Sequence, residues 1–204
     1  LILNNTFELS TKSGIDSAGG AYAIQSVDSN LEIIGNTITT ESNGPNLGIY
    51  VSSMGMGNAP NTVAAGNVID VKGFASSKNA NALVSGIEIQ NGDALIFDNQ
   101  IIVTNKAGFV EEAPVYGVSY AQKIAGNRSL NVYDNFIDVN GKYTVSVLNG
   151  TAANVTDITL FAKELFGDES VAPGYVGIVE NNTPPFNVSL IIEAENIKVG
   201  ENAT

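Results

Sequence analysis

The sequence predicts an all-β protein folded as a right-handed, single-stranded parallel β-helix, a solenoid with coils of about 31 residues. Two observations predict it: an Asn-centred segment that recurs along the chain, and a Gly-centred segment that alternates with it. Self-similarity at a fixed period of about 20–50 residues is typical of repeat architectures. The prediction treats residues 1–204 as a single domain with one insertion at residues 142–173.

The first motif places an Asn two residues before an apolar residue, as in Leu31–Thr39 (LEIIGNTIT) and Ala94–Ile102 (ALIFDNQII). The first five motif asparagines are separated by 31, 31, 32 and 36 residues. Asn tolerates left-handed backbone angles at a bend, and stacked amides bond one another in a ladder. We therefore predict a structural ladder with these members: Asn5, Asn36, Asn67, Asn99, Asn135 and Asn196.

Apolar residues alternate on both sides of each motif Asn, which indicates strands with one buried face. The predicted inward residues of two coils are Ile33, Ile38, Thr40, Ile96, Ile101 and Val103. One column of stacked isoleucines is expected inside the coils, made of Ile38, Ile69, Ile101 and Ile137.

The second motif reads Gly, apolar, any residue, and usually apolar. Its copies are Gly48–Val51, Gly86–Ile89 and Gly117–Tyr120, with a weaker copy at Ala23–Ser26. We expect its Gly to permit a sharp corner of the chain. The intervals between the two motifs differ mostly by about six residues, as a fixed frame with optional loops produces.

This pattern resembles the right-handed parallel β-helix repeat family, whose coils read apolar-x-x-Asn-x-Ile and then Gly-Ile-x-apolar. The resemblance covers Leu1 to Val139, and copies of the Gly and Asn motifs return at Gly177–Val179 and Asn196–Val199. In its loops of Asn, Thr and Gly the chain is most similar to adhesin-like cell-surface proteins of methanogenic archaea. That resemblance implies an extracellular or cell-surface location and an adhesive or structural role.

The pattern breaks between Asn135 and Gly177, which are 42 residues apart where 12–19 are usual. Within the predicted insertion, Thr156–Gly167 has the periodicity of a short amphipathic helix with Thr156 or Asp157 as its N-cap. The alternative is one further irregular coil with Tyr143–Val147 as a strand. The sequence leaves both interpretations open.

Composition excludes several classes of function. The 204 residues contain 21 acidic and 9 basic side chains, for a net charge of −12, and neither His nor Cys. Catalysis by a His base and Cys/His zinc sites are therefore excluded. Nucleic acid is not an expected partner of so negative a surface, and no apolar run approaches the roughly 18 residues of a membrane span.

The chain reads as a fragment of a longer protein, because Leu1 begins inside an apolar run. The ends of an open β-helix expose strand edges, so neighbouring coils or subunits are the expected partners there. Cell-surface glycans or proteins are the other candidate partners.

Three sets of side chains are candidates for binding or modification. A candidate cation site, for Ca²⁺, consists of Asp98, Asp134 and Asp138, and no other cofactor is expected. Phe97 and Tyr133 share one repeat position and are candidates for stacking against a sugar ring. The candidate glycosylation sequons begin at Asn4, Asn127, Asn149, Asn154, Asn181, Asn187 and Asn202.

The sequence favours a non-catalytic extracellular solenoid over an enzyme. The alternative is a polysaccharide-processing β-helix enzyme, a glycanase of the tailspike type that works with carboxylates alone. Asp98, Asp134 and Asp138 are its best catalytic candidates.

Overall fold

The computed structural model describes residues 1–11, 20–54, 60–74, 83–106, 115–121, 129–141, 144–149 and 176–180. Within these ranges the chain forms sixteen strands and no helix. In chain order the strands are β1 (Ile2–Leu3), β2 (Thr6–Thr11), β3 (Ala21–Val27), β4 (Leu31–Ile34), β5 (Thr37–Ser42), β6 (Asn46–Ser52), β7 (Asn61–Ala65), β8 (Val68–Gly73), β9 (Val84–Gln90), β10 (Asp93–Phe97), β11 (Gln100–Asn105), β12 (Val115–Ala121), β13 (Ser129–Tyr133), β14 (Phe136–Asn140), β15 (Thr144–Asn149) and β16 (Val176–Glu180).

The strands form three parallel sheets, and each sheet takes every third strand of the chain. The first sheet has the order β1-β4-β7-β10-β13-β16, the second β14-β11-β8-β5-β2, and the third β15-β12-β9-β6-β3. Equivalent residues of successive repeats pair with one another, as Ile38 pairs with Ile69 and Ile69 with Ile101. Over the described residues, the prediction of an all-β fold with parallel strands stacked in register is confirmed.

One apolar core lies among the three sheets. It includes Ile96 from the first sheet, Ile101 from the second and Ile87 from the third. The isoleucine column of the second sheet (Ile38, Ile69, Ile101 and Ile137) is buried along its length. So are the six residues that the Asn motif predicts to face inward. Burying one such side chain stabilises the fold by roughly 1.5–3 kcal/mol. Because equivalent residues of successive repeats are in register, each repeat adds a similar contribution.

The glycines of the second motif lie inside strands, so the prediction that they make a corner is wrong. Gly48, Gly86 and Gly117 belong to β6, β9 and β12 of the third sheet. A Cβ on Gly86 would overlap Cγ2 of Ile101 in the second sheet and lie 2.7 Å from the carbonyl oxygen of Gly117. Gly is needed here because the second and third sheets approach closely, and not because the backbone turns.

Two strands lie in or beyond the predicted insertion. β15 covers Thr144–Asn149 and pairs with β12, so this part of residues 142–173 is a strand of the third sheet. It occupies the place that the irregular-coil alternative gives to Tyr143–Val147. The predicted helix at Thr156–Gly167 lies outside the described residues.

The assignment of Gly177–Val179 to the Gly motif is wrong. β16, which contains these residues, pairs with β13 in the first sheet, where Leu130 lies opposite Gly177 and Val132 opposite Val179. The alternating Val-Gly-Ile-Val pattern suits strands of the first sheet as well as the third, so the residue types of the motif did not identify the sheet. Asn196, the last predicted ladder residue, lies outside the described residues.

Candidate functional site

The corner between the first and second sheets carries most of the predicted site residues. Here each ladder Asn follows a first-sheet strand and precedes a second-sheet strand. Asn36, Asn67, Asn99 and Asn135 are all at most 2% exposed. Such burial requires partners for every amide donor, because an unpaired buried amide is costly.

The ladder amides provide those partners to one another. The side-chain Nδ2 of Asn36, Asn67 and Asn99 donates to Oδ1 of the next ladder Asn at 3.0, 2.9 and 2.9 Å. Asn5 donates in the same way to Asn36 at 3.3 Å. The backbone N–H of each donor residue reaches the same oxygen at 2.9–3.0 Å. Every Oδ1 from Asn36 to Asn135 therefore accepts two bonds from the preceding repeat.

The ladder side chains from Asn36 to Asn135 also reach backward to the preceding repeat. Nδ2 of Asn67 donates to the carbonyl of Ile33 at 2.9 Å, and Nδ2 of Asn99 donates to that of Ala64 at 2.9 Å. Asn36 and Asn135 make the equivalent bond. Asn36, Asn67 and Asn99 thus each join their own repeat to the repeat before it and the repeat after it.

The left-handed backbone angle falls on the residue before each ladder Asn, so its prediction at the Asn itself is wrong. We call these residues the corner column: Asn4, Gly35, Gly66, Asp98 and Asp134, with φ from 54° to 65°. None of the ladder asparagines has a positive φ among the described residues. The column holds only Asn, Gly and Asp, the residue types that accept this conformation most readily. The ladder Asn instead needs its amide for hydrogen bonding.

The corner column gives Asp98 and Asp134 a backbone role. They are exposed and lie at the same corner of adjacent repeats, next to the paired residues Phe97 and Tyr133. Asp138 is not at this corner but on β14, opposite Ile102. In the described ranges, no three carboxylate, His or Cys side chains are grouped so that they could hold a metal ion. The three predicted ligands therefore do not form such a group.

The aromatic pair lies where the repeat places it. Phe97 of β10 and Tyr133 of β13 are stacked, with ring centroids 5.4 Å apart and planes inclined by 6°. Both side chains are half-buried. The preceding member of their row is Ala65, which is opposite Phe97 in the register. The two rings therefore form a paired aromatic feature beside the acidic corner.

A polar cluster on the third sheet was not predicted from the sequence. Glu88 of β9 is 1% exposed and lies in register between Tyr50 and Ser119. Gln90 bridges two of these groups: its Nε2 donates to Glu88 Oε1, and its Oε1 accepts from the Tyr50 hydroxyl at 3.2 Å. The only sequence signal is a Glu at the third position of a Gly motif. Its position between Ile87 and Ile89 predicts an exposed side chain, and not a buried one.

The hydroxyl pKa values of three tyrosines near Glu88 are raised, which favours their neutral form. Tyr116 is fully buried, and its hydroxyl has no hydrogen-bond partner among the residues described. Burial raises the pKa of Tyr116 strongly, and the charge of Glu88 raises it further. The pKa of Tyr22 and that of Tyr50 are also raised, mainly by partial burial. The cluster therefore disfavours additional negative charge.

The asparagines of two of the seven candidate sequons, Asn4 and Asn149, are described residues. Asn4 is exposed and belongs to the corner column, with φ of 54°. Asn149 is the last residue of β15. The other candidate sequon residues lie outside the described ranges: Asn127, Asn154, Asn181, Asn187 and Asn202.

In the described part of the chain, no helix has the length and apolar character needed to cross a membrane. The chain matches no protein-family model, no curated protein and no solved structure.

Proposed function

We propose that this chain is a non-catalytic extracellular or cell-surface solenoid with an adhesive or structural role. The observation that carries the proposal is the unbroken ladder from Asn5 to Asn135, which joins five successive repeats along one axis. The two exposed acidic residues beside it serve the backbone conformation of the corner. Such a frame holds outer side chains at a regular spacing of about 4.8 Å between strands.

The proposal includes closure of the three sheets into a right-handed parallel β-helix. The shared core supports closure, because residues of all three sheets pack into one cluster. Parallel strands of one sheet that are joined by a crossover are right-handed in about 98% of known cases. The connection between the first and second sheets is only two residues long, as at Asp98-Asn99, and so short a connection suits a closely wound coil.

For the adhesive role, a neutral glycan is the ligand that best suits the outer surface. Phe97 and Tyr133 offer apolar ring surface next to exposed carboxylates, which accept hydrogen bonds from sugar hydroxyls. The net charge of −12 opposes acidic polysaccharides unless a cation bridges the two surfaces. Ca²⁺ at Asp98 and Asp134 remains part of the proposal in that bridging role.

A glycan-array screen with a parallel assay for released reducing ends tests the function. We expect binding to neutral glycans without release of new ends. The combined Phe97→Ala and Tyr133→Ala variant should lose binding, whereas Phe136→Ala should keep it, because Phe136 is an exposed aromatic on the second sheet.

Two results would count against the proposal. Equal binding by the double variant and the wild-type chain would remove the aromatic pair from the binding surface. Release of reducing ends that Asp134→Asn abolishes would replace the proposal with the carboxylate glycanase.

A further inference from the structure

The outer face of the first sheet has a gap in one column of side chains. In register, this column contains Ile34, Ala65, Phe97 and Tyr133, one residue from each of four successive repeats. The column faces outward, because the residue before each member belongs to the buried core. Ala65 contributes only a methyl group where the other three residues carry large side chains. The column therefore lacks one layer of side chain between Ile34 and Phe97.

The gap has the size of one ring. Neighbouring strands in a sheet are about 4.8 Å apart, so the strands of Ile34 and Phe97 are separated by about 9.6 Å. A flat ring above Ala65 would lie about 4.8 Å from each of these rows, close to the 5.4 Å between the ring centroids of Phe97 and Tyr133. Ala65 itself is 8% exposed, as expected of the floor of a narrow gap between larger side chains.

The walls and the rim of the gap differ in chemistry. Tyr133 stacks against one face of the Phe97 ring, which leaves the other face directed toward the row of Ala65. At the rim, Gly66 follows Ala65, and a Cβ built on Gly66 would meet no described atom within 4 Å. Asp98 follows Phe97 and is exposed at the same rim. The gap thus offers an aromatic wall, an aliphatic wall and a carboxylate acceptor.

We propose that this gap is a subsite for a single pyranose ring of a neutral glycan, which inserts above Ala65 between Phe97 and Ile34. The proposal rests on the proposed function and deepens it, since it names the part of the glycan that is bound. A pyranose with mainly equatorial hydroxyls, such as β-linked glucose or N-acetylglucosamine, has C–H groups on its faces and hydroxyls at its edge. Its faces suit the two apolar walls, and a hydroxyl at its edge can donate to Asp98.

The proposal gives the two stacked aromatic residues different roles. Phe97 contacts the sugar, whereas Tyr133 supports the Phe97 ring from the opposite side and lies outside the gap. Phe97→Leu should therefore weaken binding by about tenfold or more, and Tyr133→Leu by about threefold or less. A surface that used both rings equally would lose similar affinity in the two variants.

The decisive variant fills the gap. Ala65→Leu places an aliphatic side chain between Ile34 and Phe97, in a column that already holds larger residues, and urea denaturation checks that the variant folds. The probes are soluble hexasaccharides of β-1,4-linked glucose and of β-1,4-linked N-acetylglucosamine, with affinity measured by calorimetry. We expect a loss of about tenfold or more. Thr37→Leu, which adds the same side chain at an exposed position of the second sheet, should leave the affinity unchanged.

A second filling variant narrows the rim and leaves the floor in place. Gly66→Asn keeps the left-handed backbone angle that Asn4 adopts in the same corner column, and it should also weaken binding. Wild-type affinity in Ala65→Leu, or in Gly66→Asn where Ala65→Leu does not fold, would overturn the subsite and leave glycan binding itself intact.

Two further outcomes would overturn the subsite. A larger loss in Tyr133→Leu than in Phe97→Leu would show that the sugar does not pack on Phe97. Failure of the wild-type chain to bind either hexasaccharide would exclude a subsite for equatorial pyranoses. The glycan array then reports separately on the proposed function, because it includes neutral glycans of other geometry.

Discussion

Asn67 donates both its backbone N–H and its side-chain Nδ2 to one atom, Oδ1 of Asn99, at 3.0 and 2.9 Å. Asn99 repeats the arrangement toward Asn135. An acceptor oxygen with two lone pairs is thereby saturated by a single neighbouring residue. Because the donor residue and the acceptor residue lie on adjacent repeats, the bonds hold the stack together along its axis.

The first prediction concerns the centre of the ladder. Asn99→Ala removes one acceptor and one donor group and leaves amides of Asn67 unpaired in a buried site. We expect the free energy of unfolding to fall by about 1–3 kcal/mol, measured by urea denaturation. Asn140→Ala, an exposed Asn at the end of β14, is the matched control and should change stability by less than about 0.5 kcal/mol. An equal loss in both variants would contradict a special role for the ladder.

The second prediction separates the backbone role of Asp134 from a cation role. Its φ of 54° costs a residue with a Cβ roughly 1–2 kcal/mol. Asp134→Gly should therefore be neutral or stabilising, and Asp134→Ala destabilising by about 1 kcal/mol relative to Gly. For Asp138→Gly and Asp138→Ala the order should reverse, so that the Gly variant is the less stable, because Asp138 lies inside β14 and Gly is unfavourable within a strand.

Thermal unfolding of the four variants with and without Ca²⁺ completes this test. If Ca²⁺ stabilises the wild-type chain and the Asp134→Gly variant loses that gain, the pair of Asp residues binds the cation. An unchanged melting temperature in Ca²⁺ leaves the backbone role as sufficient.

The repeat period made the sheets predictable from sequence. The nearly constant spacing from Asn36 to Asn67 and from Asn67 to Asn99 allows equivalent residues to pair, and the isoleucines two positions after each Asn do so. Their common burial follows from alternation on a strand with one inward face. The same frame predicts that Phe97 and Tyr133 are neighbours, and their rings are stacked.

The residue types within a motif did not predict which residue has the left-handed backbone angle, or which single polar side chain is buried. Asn and the residue before it both suit a turn, and only the structure shows that the residue before the Asn takes the left-handed angle, as at Asp98. The burial of Glu88 depends on tertiary packing, which alternation along a strand cannot report. The assignment of Gly177 to the Gly motif was wrong for a related reason, because the same alternating strand pattern fits more than one sheet.

The third prediction tests the close approach of two sheets at Gly86. Gly86→Ala places a Cβ against Ile101 and the carbonyl of Gly117, both of which are held by packing. We expect a loss of about 1–3 kcal/mol from overpacking, measured by chemical denaturation. Ala23→Gly is the control at the corresponding place in β3, where a Cβ is already accommodated and its removal should cost less. A neutral Gly86→Ala would show that the sheets can separate at low cost.

The fourth prediction concerns a polar residue inside the core. Thr40 is fully buried, and its hydroxyl has no hydrogen-bond partner in the part of the chain that the structure describes. It shares a column with Val71 and Val103. Thr40→Val should therefore stabilise the chain by about 1 kcal/mol, because an unpaired hydroxyl is replaced by a methyl group of similar size. Thr39→Val, on the outer side of the same strand, should give no comparable gain in urea denaturation.

The last prediction follows from the raised pKa of Tyr116. The ordinary Tyr pKa is 10.0, and burial together with the charge of Glu88 raises it in the folded chain. Well below pH 10 both folded and unfolded chains keep the proton, so this group leaves stability unchanged there. As the pH rises above 10, the unfolded chain releases the proton first, and stability falls until the folded chain also ionises.

Tyr116→Phe removes that alkaline loss. At neutral pH the variant should be as stable as the wild type or slightly more stable, since the replaced hydroxyl is buried and unpaired within the described residues. Between pH 10 and pH 11 the wild-type chain should lose more unfolding free energy than the variant, as measured by urea denaturation at each pH. Tyr22→Phe should have a smaller effect, because Tyr22 is only half-buried and its phenolate is less strongly disfavoured. Parallel loss in the wild type and in Tyr116→Phe would mean that Tyr116 ionises in the folded chain as readily as in the unfolded chain.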